Sequence, residues 1–544
     1  MRKGWVLAFV LYSLGAVSST GAVFAGSAGA ESKLRLAAEN GLTGRYIVVL
    51  RPEVAKLASQ KDSRQPSVQQ IARRLARAHG GQVVDVWNNA LRGFLVDIDD
   101  EAAQEMAADS RVLFVEQDQA VKKPVESSPA GRCYAGFATH ATDLRPLPPL
   151  TSPQTLTCDD PDPSHDFTAA GQPPRCQNNW GLDQIDQQTA VRNAQYTFDR
   201  TGRQANGVPV NIFILDTGVN AQNRDFLGTN GLTRVASGFD AECPTQNFPG
   251  CTSQPPPSTA DCAGHGTHVA GIAAGRTFGV AKDANIIPVR IGCRLLDSSS
   301  AAVRGLDWIA GVQGAPGVVN ISSNSYMISH GSEIAAETAP WSSSSVQMAA
   351  NGVVSSGKVI VQSAGNQSIR YDFANTILDD GLAGVQDACD WTLAGRVPNV
   401  LVVGGMEPGF LGRWLATGTD ADFCGMYFFG QDISSAVPDP YYTRGDCGSN
   451  VGQCVSVWAP AANIDSASWA GGTAYCRLSG TSMAAPHVTG AVALYLQAHP
   501  TATPAQVYAA ITSGATSGLL VTNLSRSDSI GAGSPNKLLY SKVP

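Results

Sequence analysis

The chain contains two stretches that differ in their pattern of apolar positions. From about residue 179 to residue 544, short runs that are apolar at consecutive positions alternate with segments of helical periodicity. Such runs are typical of parallel strands buried on both faces, with helices on each side. The pattern predicts an α/β domain with a mostly parallel sheet. Its strands are predicted at 210–215, 286–291, 318–321, 359–362, 400–403 and 455–458, and its helices at 301–309, 346–354 and 488–496.

Residues 42–121 show a different pattern, in which short elements follow each other in the order β-α-β-β-α-β. Strands are predicted at 46–50, 83–87, 93–98 and 112–115. A second helix is predicted at 101–108, and the first is indicated by apolar residues that share one face: Val68, Ile71, Ala72, Leu75 and Ala76. This order predicts a small α+β domain of the ferredoxin-like type.

The first 30 residues have the pattern of a secretory signal peptide. Arg2 and Lys3 precede an apolar run at 5–17, and the small residues after it indicate cleavage near residue 25 or 30. The run is too short to span a membrane, and no later run is long enough. We therefore expect a secreted, extracellular protein with no membrane partner, and the periplasm is the less favoured location.

All twelve cysteines lie at or after Cys133, and an even number behind a signal peptide favours disulfides. Residues 122–178 are rich in Pro, Ser, Thr and Asp, which predicts a loop-rich connector. The connector holds Cys133, Cys158 and Cys176. Because three is odd, at least one of them pairs outside the connector or stays free.

The charge of the chain excludes one large class of function. The net charge is -7 over 544 residues, and no long basic run occurs. A protein that binds nucleic acid by its phosphates needs a basic surface, so we expect no nucleic-acid partner. Charged residues make up 15% and hydrophobic residues 43%, which is an ordinary balance for globular domains.

Residues 480–487 (Gly-Thr-Ser-Met-Ala-Ala-Pro-His) place Ser482 at the start of the helix predicted to follow. A serine at such a position is often only an N-cap, because its oxygen accepts a backbone proton. The position also has a chemical use, since free N–H groups and the positive end of the helix dipole stabilise a nearby oxyanion. A nucleophilic serine would still need a general base and a group that orients the base.

Three other residues occupy positions suited to these tasks. Asp216 ends a predicted strand in Asp-Thr-Gly, and Asn366 follows another in Ser-Ala-Gly-Asn. His265 lies between glycines in residues 262–268, Cys-Ala-Gly-His-Gly-Thr-His. Catalytic groups in parallel sheets lie at the carboxyl ends of strands. Taken singly, each of these residues is more often structural, as a turn residue or a buried histidine.

Two rival chemistries use some of the same residues. Aspartic proteases also have Asp-Thr-Gly after an apolar strand, but they need two carboxylates that share a proton, and the chain has no second Asp-Thr-Gly or Asp-Ser-Gly. Cys262, His265 and His268 could instead bind zinc, although no second ligand cluster at metal spacing supports this. Both rivals are therefore less favoured than serine chemistry.

The four motifs follow the order of the subtilisin-like serine proteases, which the chain resembles: Asp216, His265, Asn366 and Ser482. Three further segments look most like the proteinase K-like branch: 279–282 (Gly-Val-Ala-Lys), 459–460 (Ala-Pro) and 533–540 (Gly-Ser-Pro-Asn-Lys-Leu-Leu-Tyr). Residues 42–121 resemble the family's propeptide in their opening Tyr-Ile-Val-Val-Leu strand and their closing Phe-Val-Glu-Gln-Asp. The resemblance covers nearly everything from Tyr46 onward, apart from the connector and insertions.

The resemblance implies a subtilisin-like catalytic domain at 179–544 behind a propeptide domain at 42–121. It implies a triad of Asp216, His265 and Ser482, and an oxyanion hole made by the Ser482 N–H group and the Asn366 side chain. Substrate would lie along two edges where this chain departs from the family's glycine-containing segments: Ser298, Ser299 and Ser300, and Ser322, Ser323 and Asn324. These departures leave the substrate side-chain preference open.

The resemblance also implies two disulfides, Cys262–Cys293 and Cys389–Cys454. Cys243 with Cys251 and Cys424 with Cys447 are further local expectations, and parity then leaves Cys476 for one connector cysteine. No cofactor is expected for the chemistry, whereas structural calcium is expected from the family without a named ligand set. The expected partners are protein and peptide substrates and the chain's own propeptide, which would act as intramolecular chaperone and inhibitor of a monomeric enzyme.

The sequence thus predicts a secreted serine endopeptidase that forms an acyl-enzyme and processes its own precursor. Two alternatives use the same fold. One is a catalytically inactive binding protein, which the complete set of four site residues argues against. The other is a peptide ligase or cyclase, in which an amine rather than water accepts the acyl group.

Overall fold

The computed structural model describes a large part of both predicted domains. The predicted signal peptide and most of the predicted connector lie outside the described residues. The described residues are 33–37, 41–54, 66–122, 133–134, 150–155, 180–245, 248, 258–292, 296–322, 343–366, 368, 386–408, 411–413, 448–469, 472, 475–523 and 529–544. Within them, no helix is both long and apolar enough to cross a bilayer.

The N-terminal domain has the predicted ferredoxin-like topology. Its elements are β1 (Leu34–Arg35), β2 (Gly41–Leu50), α1 (Val68–Ala78), β3 (Gln82–Trp87), β4 (Gly93–Asp97), α2 (Asp100–Ala108) and β5 (Val112–Lys122). The four long strands form an antiparallel sheet in the order β5-β2-β4-β3. Ser67 and Asp99 cap the two helices, which pack on one sheet face over Tyr46 and Val48.

The rest of the chain forms the larger domain, and two short connector strands precede it. The elements in order are β6 (Cys133–Tyr134), β7 (Gln154–Thr155), α3 (Trp180–Ile185), β8 (Gln195–Tyr196), β9 (Asn211–Asp216), β10 (Phe239–Asp240), α4 (His265–Ala274), β11 (Asn285–Arg290), β12 (Leu296–Ser298), α5 (Ser299–Gly311), β13 (Gly317–Ile321), α6 (Ser344–Ser355), β14 (Val359–Ser363), α7 (Ala388–Trp391), β15 (Leu401–Met406), β16 (Val457–Pro460), β17 (Ile464–Ala467), β18 (Tyr475–Leu478), α8 (Thr481–Ala498), α9 (Pro504–Gly514), β19 (Thr516–Ser517) and β20 (Lys537–Leu538).

The main sheet of this domain is parallel except at one edge. Its strand order is β10-β11-β9-β13-β14-β15-β16-β20-β19, and only the β20–β19 pair is antiparallel. The six predicted strands are confirmed, with ends shifted by a few residues, as β9, β11, β13, β14, β15 and β16. The chain reverses its direction of winding at β9, because β11 lies on one side of it and β13 on the other. Ligands bind at the carboxyl ends of strands at such a switch point.

Small residues allow two helices of this domain to approach each other closely. Helices α4 and α8 pack together, and α8 also contacts β13, β14, β15 and β16. A β-carbon at Gly490 of α8 would lie 2.8 Å from the carbonyl oxygen of Ala273 in α4, closer than real contacts allow. The glycine therefore sets the separation of the helix that begins with His265 and the helix that contains Ser482. Helices α5 and α6 pack against each other in another layer.

Candidate active site

Asp216 and His265 are joined by a hydrogen bond at the carboxyl end of β9. Asp216 is the last residue of β9 and is fully buried, and His265 is the first residue of α4. Nδ1 of His265 lies 2.8 Å from Oδ1 of Asp216, which also accepts the N–H of Thr217 at 2.8 Å. A carboxylate in this position fixes the orientation of the imidazole and favours the tautomer that carries a proton on Nδ1.

Glycines bring the His265 helix close to the Asp216 loop. Gly264 precedes the helix with a φ of +92°, a left-handed conformation that glycine adopts without strain. A β-carbon at Gly266 would lie 2.1 Å from the carbonyl oxygen of Gly218, so no larger residue fits there. The glycines around His265, a feature of the sequence motif, are therefore needed for the close approach of the two segments.

Ser482 lies in the first turn of α8, where it is 3% exposed. The N-cap residue is Gly480, which has a φ of +148° and offers no side-chain cap to the helix. The Ser482 hydroxyl donates a hydrogen bond to the backbone oxygen of Ser322, just after β13, at 2.7 Å. The serine is thus not an N-cap, since it lies inside the helix with its hydroxyl turned toward the end of a neighbouring strand.

Asn366 follows β14 and contacts the residue next to Ser482. Its Oδ1 accepts the backbone N–H of Thr481 at 3.0 Å and the Thr481 hydroxyl at 2.6 Å. Because a backbone N–H can only donate, these contacts determine which end of the amide faces Thr481. The other end, Nδ2, is a hydrogen-bond donor at the start of the helix that contains Ser482.

The structure brings several predicted site residues to the same edge of the sheet. Asp216, Ser322 and Asn366 lie at or just after the carboxyl ends of β9, β13 and β14, as expected for a parallel sheet. Ser323 and Asn324 lie outside the described residues. The other predicted edge, Ser298 to Ser300, spans the end of β12 and the start of α5.

Comparisons with known proteins agree with this geometry. The model of the subtilase family matches residues 207–533, and that of peptidase inhibitor I9 matches residues 45–123. The chain belongs to the subtilase family. It is 30% identical to an extracellular serine proteinase of Thermus sp. (strain Rt41A), over 93% of this chain and 92% of the relative.

One further relative and one solved structure are also similar to this chain. An alkaline serine exoprotease A of Vibrio alginolyticus is 30% identical, over 92% of this chain and 68% of the relative. The crystal structure of fervidolysin from Fervidobacterium pennivorans, a keratinolytic enzyme related to subtilisin, aligns with 94% of this chain and 63% of its own at a TM-score of 0.51. At 17% identity, that last likeness shows the fold alone. The predicted subtilisin-like fold and serine-protease family are therefore confirmed.

The tail of the inhibitor I9 domain of this subtilase lies along one of the predicted substrate edges. Strand β5 continues well beyond the predicted 112–115, and its end pairs antiparallel with β12. Ala120 lies opposite Ser298, and Lys122 lies opposite Leu296. The main-chain hydrogen bonds of an added strand are a common way to bind an extended peptide. A substrate that paired with β12 would compete with this tail.

Two carboxylates of the same tail cap helices of the larger domain. Oδ1 of Asp118 accepts the N–H of Ser300 at 2.9 Å, and Oδ2 accepts the Ser300 hydroxyl at 2.7 Å. Glu116 accepts the N–H groups of Ser344 and Ser345 at 2.9 and 2.8 Å, and the Ser343 hydroxyl at 3.0 Å. Negative charge is favourable at both places, because these N–H groups form the positive ends of α5 and α6.

In another contact between the two domains, the acceptor belongs to the larger domain and the donors to the turn after β3 of the inhibitor I9 domain. Asp307 of α5 accepts the backbone N–H groups of Asn89 and Ala90, each at 2.7 Å. A β-carbon at Gly352 of α6 would lie 1.9 Å from the carbonyl oxygen of Ala90, so the turn after β3 lies directly against this helix. The second sheet face, with Trp87, Leu95 and other apolar residues, is continuous with the core of the larger domain.

The disulfides are confirmed in part. Cys389 and Cys454 form the predicted bond, with an α-carbon separation of 5.1 Å. Cys243 and Cys262 are also disulfide-bonded, but their predicted partners, Cys251 and Cys293, lie outside the described residues. Cys424 and Cys447 lie outside them as well. In the short sheet β17-β18-β6, Cys133 of the connector lies opposite Cys476. Cys476 is the residue for which the sequence predicts a connector cysteine as partner.

The described residues argue against the rival zinc site. Cys262 is disulfide-bonded and so cannot be a zinc thiolate, and Nε2 of His268 contacts the backbone oxygen of Ile464 at 3.1 Å. Within the described part of the chain, no group of three or more His, Cys, Asp or Glu side chains is arranged to hold a metal ion, so the calcium expected from the family gains no ligand set there. Burial lowers the pKa of His487 to about 4, which keeps this histidine of α8 neutral.

Sequence reasoning missed three polar residues that support the site. Thr481 orients Asn366, and nothing in the sequence distinguishes it from the rest of its motif. Thr217 and Asp261 link the Asp216 loop to the His265 helix, and they lie within or next to the Asp216 and His265 motifs. Their roles depend on hydrogen bonds between segments about 45 residues apart, such as that from Thr217 to Asp261, which spacing alone does not reveal.

Proposed function

We propose that this subtilase is a secreted serine endopeptidase in which Asp216, His265 and Ser482 form the catalytic triad. His265 takes the proton of the Ser482 hydroxyl through Nε2 as Oγ attacks the substrate carbonyl carbon. Asp216 holds the ring by Nδ1 and stabilises the imidazolium that forms. His265 then protonates the leaving amine, and water hydrolyses the acyl-enzyme with the same histidine as general base.

The oxyanion hole would consist of the Asn366 amide and the backbone N–H of Ser482. The tetrahedral intermediate carries its negative charge on the former carbonyl oxygen, and donors already in place stabilise it without reorganisation. The contacts from Thr481 to Oδ1 support this role, because they fix the orientation of the Asn366 amide at the start of the helix that contains Ser482. The first turn of α8 adds the field of the helix dipole.

The observation that carries the proposal is the 2.8 Å hydrogen bond between Nδ1 of His265 and the buried carboxylate of Asp216. The Ser482 hydroxyl also donates a hydrogen bond to the backbone oxygen of Ser322, which holds the serine at the carboxyl end of β13. A fluorophosphonate probe tests the assignment, because it labels only an activated serine. We expect labelling at Ser482 in the mature protein and none in Ser482→Ala or His265→Ala.

The same experiment separates the two other functions that the fold allows. A protein that only binds peptides would remain unlabelled and would leave a protein substrate intact. A ligase or cyclase would be labelled, but it would transfer the acyl group to an added peptide amine in preference to water. Product analysis by mass spectrometry, with and without the amine acceptor, distinguishes hydrolysis from transfer.

We further propose that residues 42–121 inhibit and help to fold the catalytic domain at 179–544. The pairing of β5 with β12 supports this, because the tail takes main-chain positions that a bound peptide would use. Cleavage would fall between about residues 119 and 128 and would be made by the enzyme itself. The location outside the cell fits the signal-peptide pattern and the extracellular relative, and structural calcium remains part of the proposal without named ligands.

A further inference from the structure

The carboxylate of Asp261, four residues before His265, accepts an unusual number of hydrogen bonds. Oδ1 accepts the N–H groups of Ala263 and Gly264 at 3.1 and 2.8 Å and the Thr217 hydroxyl at 2.8 Å. Oδ2 accepts the N–H of Thr267 at 2.8 Å and also the Thr267 hydroxyl. Four of these donors belong to the loop and first turn that present His265, and the fifth, the Thr217 hydroxyl, belongs to the segment that presents Asp216.

The two hydroxyls that donate to Asp261 each accept a backbone N–H from the opposite segment. Thr217 follows Asp216, and its oxygen accepts the N–H of Gly266 in α4 at 2.9 Å. Thr267 lies in α4, and its oxygen accepts the N–H of Asn220 in the Asp216 segment at 2.9 Å. A carboxylate can only accept, so it directs both hydroxyl protons toward itself and leaves both lone pairs facing the N–H groups.

The hydrogen bonds therefore close a ring around the Asp216–His265 pair. The Thr217 N–H donates to Oδ1 of Asp216, the same oxygen that faces Nδ1 of His265. Asp261 thus links both partners of the pair through Thr217 and through its own loop. It also serves α4 as a cap, because the N-cap residue Gly264 has no side chain to accept the Thr267 N–H.

We propose that Asp261 is a positioning residue, which holds His265 and Asp216 at the separation that proton transfer needs. The inference rests on the proposed triad and adds a residue that does not touch the reacting atoms. Replacing Asp261 by Asn puts an N–H₂ group where one of the backbone N–H donors now points, so at least two hydrogen bonds are lost. A displacement of the imidazole by a fraction of an ångström to 1 Å lowers the rate by up to about 100-fold.

The test is a double-mutant cycle on the mature enzyme. Variants that process themselves slowly would be matured by a trace of tagged wild-type enzyme, which is then removed. We expect Asp261→Asn to lower kcat about 10- to 100-fold while KM changes less than about 2-fold, because substrate binding is untouched. In a His265→Ala background the same change should lower the residual kcat less than about 2-fold, since no imidazole is left to position.

Asp183→Asn is a matched control. Asp183 likewise accepts two backbone N–H groups, those of Asn193 and Ala194. It is more deeply buried than Asp261 and lies on α3, and among the described residues it bonds only within 183–194. We expect it to lower the thermal midpoint and leave kcat unchanged. Equal losses from Asp261→Asn with and without His265, or a loss of thermal stability with normal kcat, would overturn the positioning role.

If Asp261→Asn does not fold, a second pair of variants tests the same proposal. Thr217→Ser keeps the hydroxyl that links Asp261 to Gly266, and Thr217→Val removes it with little change in shape. The proposal expects kcat of Thr217→Ser near that of the wild type and a loss of about 10-fold in Thr217→Val. Equal kcat for the two would contradict it. Ser482→Ala, measured in parallel, reports on the triad itself, so its full activity would reject the proposed function separately.

Discussion

The helix that contains Ser482 and the two helices under the inhibitor I9 domain begin in different ways. Helix α5 has the Ser298 hydroxyl as its own cap and Asp118 as a second acceptor at Ser300. Helix α6 is capped in the same way, by Ser343 and by Glu116. Helix α8 begins at Gly480, which offers no side chain, and no carboxylate is among the partners described at its first turn.

The difference shows two uses of the same backbone feature. A carboxylate at a helix start neutralises the positive end of the helix. At α5 and α6 this favourable interaction helps to hold the inhibitor I9 domain on the larger domain. A helix start that lacks a carboxylate can stabilise negative charge that appears only during a reaction. An acidic cap beside Ser482 would repel the oxyanion, so the glycine N-cap suits the proposed chemistry. The predictions below test this contrast, in order of expected effect.

Ser482→Ala should abolish activity at the start of α8 without disturbing the capped helices. The loss in kcat should be roughly a millionfold, the size found when the nucleophile of subtilisin is removed. Expressed in a host without other proteases, the variant should accumulate with residues 42–121 still attached. N-terminal sequencing and intact mass provide the measurement. A normally processed N-terminus would mean that another protease makes the cut, even if the triad is correct.

Asn366→Ala should have the next largest effect, because it removes a donor at the uncapped helix start. We expect kcat to decrease about 100- to 1,000-fold, as for the corresponding donor in subtilisin, with KM nearly unchanged. Asn366→Asp is the sharper comparison. This variant keeps the shape of the side chain and its contact with Thr481. It places a carboxylate at the start of α8, where negative charge would repel the oxyanion. Steady-state kinetics that gave Asn366→Asp the activity of the wild type would contradict the contrast.

The sequence predicted the uncapped helix start better than the capped ones, for a physical reason. Gly480 and Ser482 are adjacent in one motif, and the helix after them follows from its own apolar residues. Glu116 and Asp118, in contrast, find their partners near residues 344 and 300, about 230 and 180 positions away. Polar residues at the end of a strand give no local sign of such partners. The sequence pattern therefore predicts that β5 ends at residue 115, whereas in the structure the strand continues to Lys122.

Removing either carboxylate from the capped helix starts should weaken inhibition by the propeptide. Glu116→Ala and Asp118→Ala each lose two or more hydrogen bonds to a carboxyl group, and we expect the inhibition constant of added residues 42–122 against mature enzyme to rise about 10- to 100-fold. The exposed Glu53→Ala in the same domain is the matched control and should change nothing. Unaltered inhibition by both cap variants, with folding verified by circular dichroism, would show that strand pairing alone holds the domain.

The smallest expected effect is the pH dependence that Asp118 gives to this inhibition. Burial raises the pKa of Asp118 in the complex, although the bonds from Ser300 and the charges of Arg45 and Arg304 act in the opposite direction. In the separated propeptide the carboxyl is exposed and has an ordinary pKa of about 4. The complex therefore binds the proton more tightly than the separated propeptide does. This part of the affinity is fully present below the pKa of the separated form and is lost as the pH rises through the raised pKa.

One proton changes an equilibrium constant by at most tenfold per pH unit, so the expected slope is shallow. Inhibition constants measured from pH 4 upward should increase with pH for wild-type propeptide. Asp118→Asn, which keeps the shape of the cap and cannot titrate, should remove this slope, and Glu53→Gln should keep it. A slope that persists in Asp118→Asn would assign the pH dependence to another group of the interface. A slope of the opposite sign would mean that the N–H groups of α5 lower the pKa of Asp118 more than burial raises it. Asp118 would then bind in its ionised form.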